Sequence, residues 1–496
     1  MIINSLLNLL DPIVILAMTF GTIWGILNGA MPGFGASSAC ALLIPFTFGV
    51  DPIVALPMLA GVYAGGIYGG SITAIMVGVP GTSAAAATVY DGYELTKKGQ
   101  SKKALTAAVV ASAIGGMFSA IVLLVAAPLL ARSALLFGPP EYFLLAIFGL
   151  TVIASLSGTS ILKGVMGGLL GLFLGMVGMD PILGVMRFSF GSMYLYDSIP
   201  LIPLILGLFA FPRCLLLVKK VFQKGTETIS SDLSSGGGNP ITLKELIKMW
   251  KTLLRSSILG TIIGIIPAAG GNIACFVGYS EAKRNSKDPS KFGTGITEGV
   301  IAAEAANNSV CGGSLIPMLT LGIPGNATSA VLLGALMIQG LIPGFQLFSK
   351  YADITYTFIF AMFFANIIML LIGWYGARFF GKIAEVPVTV LVPAMLLISL
   401  VGAFVSRQYV FDMGITAGIG IVGYFLMRAG FPMPTILLGA ILSPIAEKGF
   451  RTAMKITHWD LTIFFKRPLS LVLIMLTLLS LYAGWRMSTG LLRKIK

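Results

Sequence analysis

Apolar residues run through this chain in long stretches, separated by short polar ones. Ala104–Ala131, Ile354–Trp374 and Leu469–Trp485 each approach or exceed the roughly 20 residues that span a hydrocarbon core. Lipid offers no partner to backbone N–H and C=O groups, so such stretches must be helical. The pattern predicts an all-α integral membrane protein with roughly 10–12 transmembrane helices. One stretch breaks it decisively. Lys219–Trp250 carries the run Ser234–Gly238 and Pro240, followed by an amphipathic segment at Thr242–Leu254. Gly/Ser-rich polar sequence of this kind reads as a flexible linker. It sets four parts: a first membrane half at 1–218, a polar cytoplasmic linker at 219–250, a second half at 251–465, and a last helix with a basic tail at 466–496.

The two halves repeat each other. Gly25, Gly29, Pro32 and Gly35 have the spacing of Gly260, Gly264, Pro267 and Gly270, offset by 235 residues. Further on, Gly69-Gly70-Ser71 leads to Gly78-Val79-Pro80-Gly81. Gly312-Gly313-Ser314 leads in the same way to Gly322-Ile323-Pro324-Gly325, with one extra residue between. Proline removes a backbone donor and clashes with the preceding helical turn, and glycine adopts backbone angles that other residues resist. Each motif therefore predicts a broken or re-entrant helix.

Composition strengthens the membrane reading. Of 496 residues, 56% are hydrophobic and 10% charged, against about 25% charged in soluble domains. The mean hydropathy is +0.94. The net charge of +14 would suit nucleic acid, but its placement argues against that partner. Lys97, Lys98, Lys102 and Lys103, then Lys219, Lys220 and Lys224, then Lys283, Arg284, Lys287 and Lys291 gather between apolar segments. That is the pattern of cytoplasmic loops. No cleavable signal peptide is expected, and the first membrane segments would direct insertion. Cys40, Cys214, Cys275 and Cys311 lie in or beside apolar segments without metal-ligand spacing and read as packing residues. The single histidine, His458, reads as a solvated loop residue.

Charge also bears on how the halves face. Asp11 and Asp51 flank the first break with no basic residue nearby, whereas Lys248, Lys251 and Arg255 precede the second break and Lys283–Lys291 follows it. If basic loops are cytoplasmic, the first hairpin enters from outside and the second from inside. Two inverted repeats are the expected architecture, as in many secondary transporters.

The breaks also carry the candidate chemistry. After Asn28, Pro32, Gly33 and Gly35 a new helix should begin at about Ala36, presenting unpaired N–H groups with Ser37 and Ser38 beside them. Such an end can cradle a carboxylate. Asn272 replaces the serine pair in the second copy, after Gly270 and Gly271. Thr82 and Ser83 follow the second break of the first copy, and Asn326 follows Gly325 in the other. Close helix packing is the alternative reading of the glycines. The most polar stretch inside an apolar segment is Glu304-Ala305-Ala306-Asn307-Asn308-Ser309. Carboxamides both donate and accept, so Asn307 and Asn308 suit a substrate anion or a partly dehydrated ion. Glu304 could ligate a cation, carry a proton or sit at an interface. Substrate contact is assigned to Asn28, Pro32, Gly33, Gly35, Ser37, Ser38, Thr82, Ser83, Asn272, Asn307, Asn308 and Asn326, and ion contact to Gly270, Gly271, Glu304, Asn307 and Gly325. Asp91, Tyr93 and Glu94 read as a solvated loop. No HExxH, Walker, GxSxG or CxxC pattern occurs, so the chain is not read as an enzyme and no cofactor is expected.

Three stretches resemble the large membrane subunit of tripartite tricarboxylate transporters. They are Gly21–Pro52, Gly61–Gln100 with its DGYELTKKGQ ending, and Glu298–Gly340 with EAANN and LGIPGNATSAVLLGALMIQG. The resemblance covers nearly the whole chain. It implies a permease of the bacterial inner membrane that imports di- or tricarboxylates with a coupling cation, Na⁺ ahead of H⁺. It also implies a small membrane subunit and a periplasmic solute-binding protein as partners. The family pattern has PGxG at both breaks, whereas the second here reads Pro267-Ala268-Ala269-Gly270. A passive channel or scaffold subunit is the alternative function. An intramembrane enzyme acting on lipid is a third, for which the sequence offers no acid–base pair.

Overall fold

The computed structural model describes all residues except 1, 32, 157–159, 181, 225–236, 268, 382–387 and 496. Almost everything described is helical, and the strands are confined to one short antiparallel pair, Gly178–Met179 with Met186–Arg187. Among the described residues seven helices are long and apolar enough to cross a membrane, including Ser101–Arg132 and Ala352–Gly376, which contain two of the predicted stretches. The third, Leu469–Trp485, lies within the helix Pro468–Ile495. Shorter apolar helices, including Ala36–Thr47 and Ala327–Ile338, follow the breaks. Much of the predicted linker falls outside the described residues. Its flanks belong to the helices Phe211–Lys224, Leu243–Lys248 and Trp250–Ile265.

Local sequence explains where the first copy's helices begin. Pro12–Ala30 and Pro52–Met76 both start on an Asp-Pro pair. The aspartate accepts from the second helical N–H at 2.8 Å (Asp11 from Ile13, Asp51 from Ile53), and proline's fixed φ suits the first turn. In the second copy the corresponding long helix, Thr297–Leu321, has no side-chain cap of its own.

The repeat is visible in the packing. A Cβ on Gly25 would lie 2.4 Å from the Val62 carbonyl oxygen, and one on Gly260 would lie 2.1 Å from that of Ala306. A Cβ on Gly69 or on Gly313 would lie 2.4 Å from the carbonyl oxygen of Ile26 or Thr261. These glycines let Pro12–Ala30 pack on Pro52–Met76 and Trp250–Ile265 on Thr297–Leu321 with backbones touching. The contacts also refine the register. On the longer hairpin helix the offset is 244 residues, so Gly69 pairs with Gly313 and Gly70 with Ser314, and no extra residue lies before the second break.

The copies are interleaved. Ser101–Ser133 of the first packs chiefly on Thr297–Leu321 of the second, while Ala352–Gly381 of the second packs on Pro52–Met76 of the first. Farther out, Pro139–Leu156 and Ile161–Gly175 pack on Met433–Ile456, and Val388–Arg407 and Val410–Arg428 pack on Phe211–Lys224. Thr297–Leu321 sits at the centre, buried almost without interruption from Gly299 to Thr320. Protein covers it on all sides, and that lets it carry polar residues that lipid would not tolerate.

Candidate functional site

Each copy ties its own two breaks together. In the first, Gly33 N–H donates to Gly81 O at 3.3 Å and Gly81 N–H donates to Gly70 O at 3.1 Å. Gly33 and Gly35 hold φ near +94° and +93°, which a side chain would oppose. A Cβ on Gly35 would also meet the Thr82 methyl at 3.1 Å. In the second copy Gly325 N–H donates to Ser314 O at 3.4 Å. A Cβ on Gly325 would lie 2.4 Å from Gly264 O, as one on Gly81 would lie 2.2 Å from Gly29 O. The first copy's helix restarts at Ala36, where the Gly/Pro spacing placed it, and the second copy's restarts at Gly270.

The two copies then meet at these breaks. Ser83 Oγ donates to Asn272 Oδ1 at 2.8 Å. A Cβ on Gly271 would lie 2.4 Å from Asn307 Oδ1 and 2.9 Å from the Ala84 methyl, so the second copy's break is wedged between those residues. On the other side, Asn326 Nδ2 donates to Tyr63 Oη at 2.6 Å, and Tyr63 Oη lies 2.8 Å from Ser314 Oγ. Tyr63 and Asn307 hold equivalent positions in the repeat, 244 residues apart.

A buried polar cluster surrounds Glu304, which is fully shielded from solvent. Thr88 donates to its Oε1. Ser112 and Asn308 donate to Oε2 at 3.1 and 3.3 Å. Asn308 Nδ2 also donates to Ser112 Oγ at 2.8 Å and to Glu304 O at 3.1 Å. Thr88 and Ser112 belong to the first copy, Glu304 and Asn308 to the second, so the cluster bridges them. Asn307 is equally buried, and neither its Oδ1 nor its Nδ2 has a hydrogen-bond partner. Asn28 Oδ1, Thr82 Oγ1 and Asn308 Oδ1 are also buried without one.

The predicted site residues have different fates. Asn326 is engaged structurally: it caps Ala327–Ile338 through a reciprocal box with Ser329 and also holds Tyr63. Ser38 is buried and donates to Phe209 O at 3.3 Å, whereas Ser37 stays half-buried at the helix start. Asn28 Nδ2 donates to Trp24 O at 2.9 Å. Ser83 and Asn272 are exposed and bound to each other. Gly270 and Gly325 are buried, and Pro32 lies outside the described residues.

Asp91 overturns one expectation. It lies in the helix Thr88–Lys97, not in a solvated loop, and is fully buried, with Tyr93 and Glu94 half-buried on the same helix. Asp91 Oδ1 accepts from the N–H groups of Gly293, Gly295 and Ile296 at 2.8–3.0 Å, and Oδ2 accepts from Tyr279 Oη at 2.8 Å. An aspartate of the first copy thus holds the loop that leads into Thr297–Leu321, through N–H groups that precede the helix's first turn. Alternating glycines at Gly293 and Gly295 were the signal, because such a run can fold N–H groups around an anion. Tyr63, Thr88 and Ser112 also went unnoticed, since one polar atom in an apolar helix leaves no periodic trace.

No solved structure matches this chain. It is 34% identical over 471 residues to an uncharacterized 52.8 kDa protein in the TAR-I ttuC' 3' region of Agrobacterium vitis, covering 93% of this chain and 91% of that one. An uncharacterized protein in the TAR-II ttuC' 3' region of the same organism is 33% identical over 211 residues, covering 42% of this chain and 87% of that one. Residues 15–438 match the tripartite tricarboxylate transporter TctA family. With apolar helices of membrane-spanning length around a buried polar centre, the chain belongs to that family, as a membrane component of a tripartite transport system.

Proposed function

We propose that this chain is the permease of a binding-protein-dependent secondary transporter that imports di- or tricarboxylates across the bacterial inner membrane by cation symport, with Na⁺ as the coupling ion. A small membrane subunit and a periplasmic solute-binding protein complete the system. The two copies are inverted, and the substrate binds between them.

The observation that carries this reading is the meeting of broken hairpins from both copies, beside buried Tyr63 and Asn307 and with Ser83 and Asn272 exposed. Helix starts at Ala36, Gly270 and Ala327 lie by these breaks, and unpaired N–H groups at such ends suit a carboxylate. Among the described residues no lysine or arginine is buried. A multiply charged anion in this interior therefore needs helix ends, hydroxyls, amides and a co-bound cation to offset its charge, which favours symport over a basic pocket. At the tips of the breaks the copies are joined by single hydrogen bonds, Ser83–Asn272 and Tyr63–Asn326, which suits a site that opens alternately to each side.

Uptake of labelled citrate and smaller dicarboxylates by proteoliposomes holding both membrane subunits, with binding protein outside, tests this. Accumulation should follow an inward Na⁺ gradient and stop when it is collapsed. Uptake unchanged with both Na⁺ and proton gradients dissipated would refute coupling, and large currents from this chain alone would establish the channel reading.

A further inference from the structure

We infer that Glu304, Asn307 and Asn308 form a single binding site for one Na⁺-sized monovalent cation, present in the second copy and absent from the first. The inference deepens the transport reading and rests on it for the ion's role, but the site stands on the burial and hydrogen bonding of these residues.

A carboxylate buried in a protein needs a compensating partner. Five described side chains of this kind are buried: Asp91, Glu141, Asp180, Glu304 and Asp412. Glu141 pairs with Arg467, Asp180 with Arg187 and Arg451, and Asp412 with Arg407. Asp91 is held by three backbone N–H groups and a tyrosine. Glu304 alone has neither a basic partner nor a backbone donor. It accepts from two hydroxyls and one amide and donates to nothing. A carboxylate in the interior without countercharge is costly, and a bound cation offsets that cost.

The neighbouring amides supply the remaining ligands. Asn308 Nδ2 faces three acceptors, so its orientation is fixed and its Oδ1 must be the free atom. Asn307, one helical turn from Glu304, is fully buried with both amide atoms unpartnered. A proton on Glu304 would supply a single donor and leave at least one of the two amide oxygens unsatisfied, and an anion would be repelled by the carboxylate. A hard cation satisfies all three residues, because carboxylate and carbonyl oxygens are its preferred ligands. One carboxylate balances one positive charge, hence a monovalent ion.

The first copy shows what the position looks like without an ion. At the 244-residue offset, Glu304, Asn307 and Asn308 correspond to Ala60, Tyr63 and Ala64. There the tyrosine closes the site with its own bonds to Ser314 and Asn326.

Thermal unfolding of the purified chain in lipid nanodiscs, titrated with Na⁺ against choline and without any carboxylate, tests the site. Na⁺ should raise the Tm of the parent. Asn307→Ala and Asn308→Ala should each raise half-saturating Na⁺ on the order of tenfold, and Glu304→Gln should abolish the shift. Asn307→Ser, which retains an oxygen, should lose less than Asn307→Ala. Tyr63→Phe should keep the Na⁺ shift of the parent. An Na⁺ shift absent from the parent, or unchanged in both alanine variants, overturns the site. So does a shift that acid reproduces in the parent and that disappears in Glu304→Gln, because the ligand is then a proton. Since no carboxylate is present, the site can stand while the uptake experiment fails, and the reverse.

Discussion

Tyr63 and Asn307 occupy the same place in two copies of one hairpin, yet the two places are built for different purposes. The Tyr63 side is saturated: its hydroxyl, Ser314 and Asn326 satisfy one another, and Asn326 also caps a helix. The Asn307 side is unsaturated, with a free amide beside a carboxylate that has no counter-ion. The residues opposite follow the same division. Where Tyr63 meets Ser314 and Asn326, the equivalents around Asn307 are Gly70, with no side chain, and Thr82, whose buried hydroxyl has no partner. Duplication kept the backbone frame, and divergence in a few side chains left one copy a clasp and the other a site. The helix entrances show the same asymmetry, since Asp51 caps Pro52–Met76 directly, whereas Asp91 of the other copy holds the loop before Thr297–Leu321.

The comparison breaks most sharply at the frame, which both copies must share. Gly25→Ala and Gly260→Ala each force a methyl to within 2.4 and 2.1 Å of a backbone carbonyl oxygen, and a backbone cannot swing aside as a flexible side chain can. Overpacking of this kind costs about 1–3 kcal/mol or more. Both variants should lose most of the monodisperse protein seen by size-exclusion chromatography, to a similar extent. Full yield from either one would show that the two hairpins do not depend on the same contact.

That frame was legible in the sequence because it is made of glycine and proline, whose backbone effects do not depend on partners. Gly25, Gly29, Gly260 and Gly264 announced two equivalent hairpins, and the helix restart at Ala36 followed from the spacing. The long membrane helices were equally plain from apolar runs. What could not be read were roles decided by partners distant in sequence. Ser38 looks like Ser83 on paper, but one bonds to Phe209 and the other to Asn272. Asp91 stands beside Tyr93, Glu94 and two lysines, so its surroundings suggest solvent, while its carboxylate is wrapped by a loop some 200 residues away. Asn307 and Asn308 differ only in what lies across from them, and only the fold shows that one amide is half engaged and the other free.

The asymmetry at the helix entrances yields a smaller effect. Asp91→Asn keeps the shape but removes the charge and replaces one acceptor oxygen with a donor, so either the amide N–H meets backbone N–H groups or Tyr279 Oη must turn from donor to acceptor. Hydrogen bonds to a charged group are worth about 1.5–3 kcal/mol, and the expected loss is of that order. In thermal unfolding the variant should melt several degrees below the parent, and limited proteolysis should open the 292–296 loop first. Asp51→Asn should cost less, because asparagine caps a helix nearly as well as aspartate and Asp51 is exposed. Equal losses would mean that the trans contact is no more than an ordinary cap.

The smallest effect belongs to the saturated side itself. Tyr63→Phe removes one hydroxyl and leaves Ser314 Oγ still donating to Cys311 O at 3.0 Å and Asn326 Oδ1 still accepting from Ser329 N–H at 2.9 Å. Only Asn326 Nδ2 loses its partner, and Asn326 is half-buried, so water can reach its side of the break. The net loss should be about 1 kcal/mol, a shift of a few degrees in Tm. Because phenylalanine keeps the ring that fills the position, uptake should persist with an unchanged half-saturating Na⁺. A Tyr63→Phe variant that folds normally but needs more Na⁺ would mean that the clasp and the site act on one another, and the two copies would then be halves of one ion site.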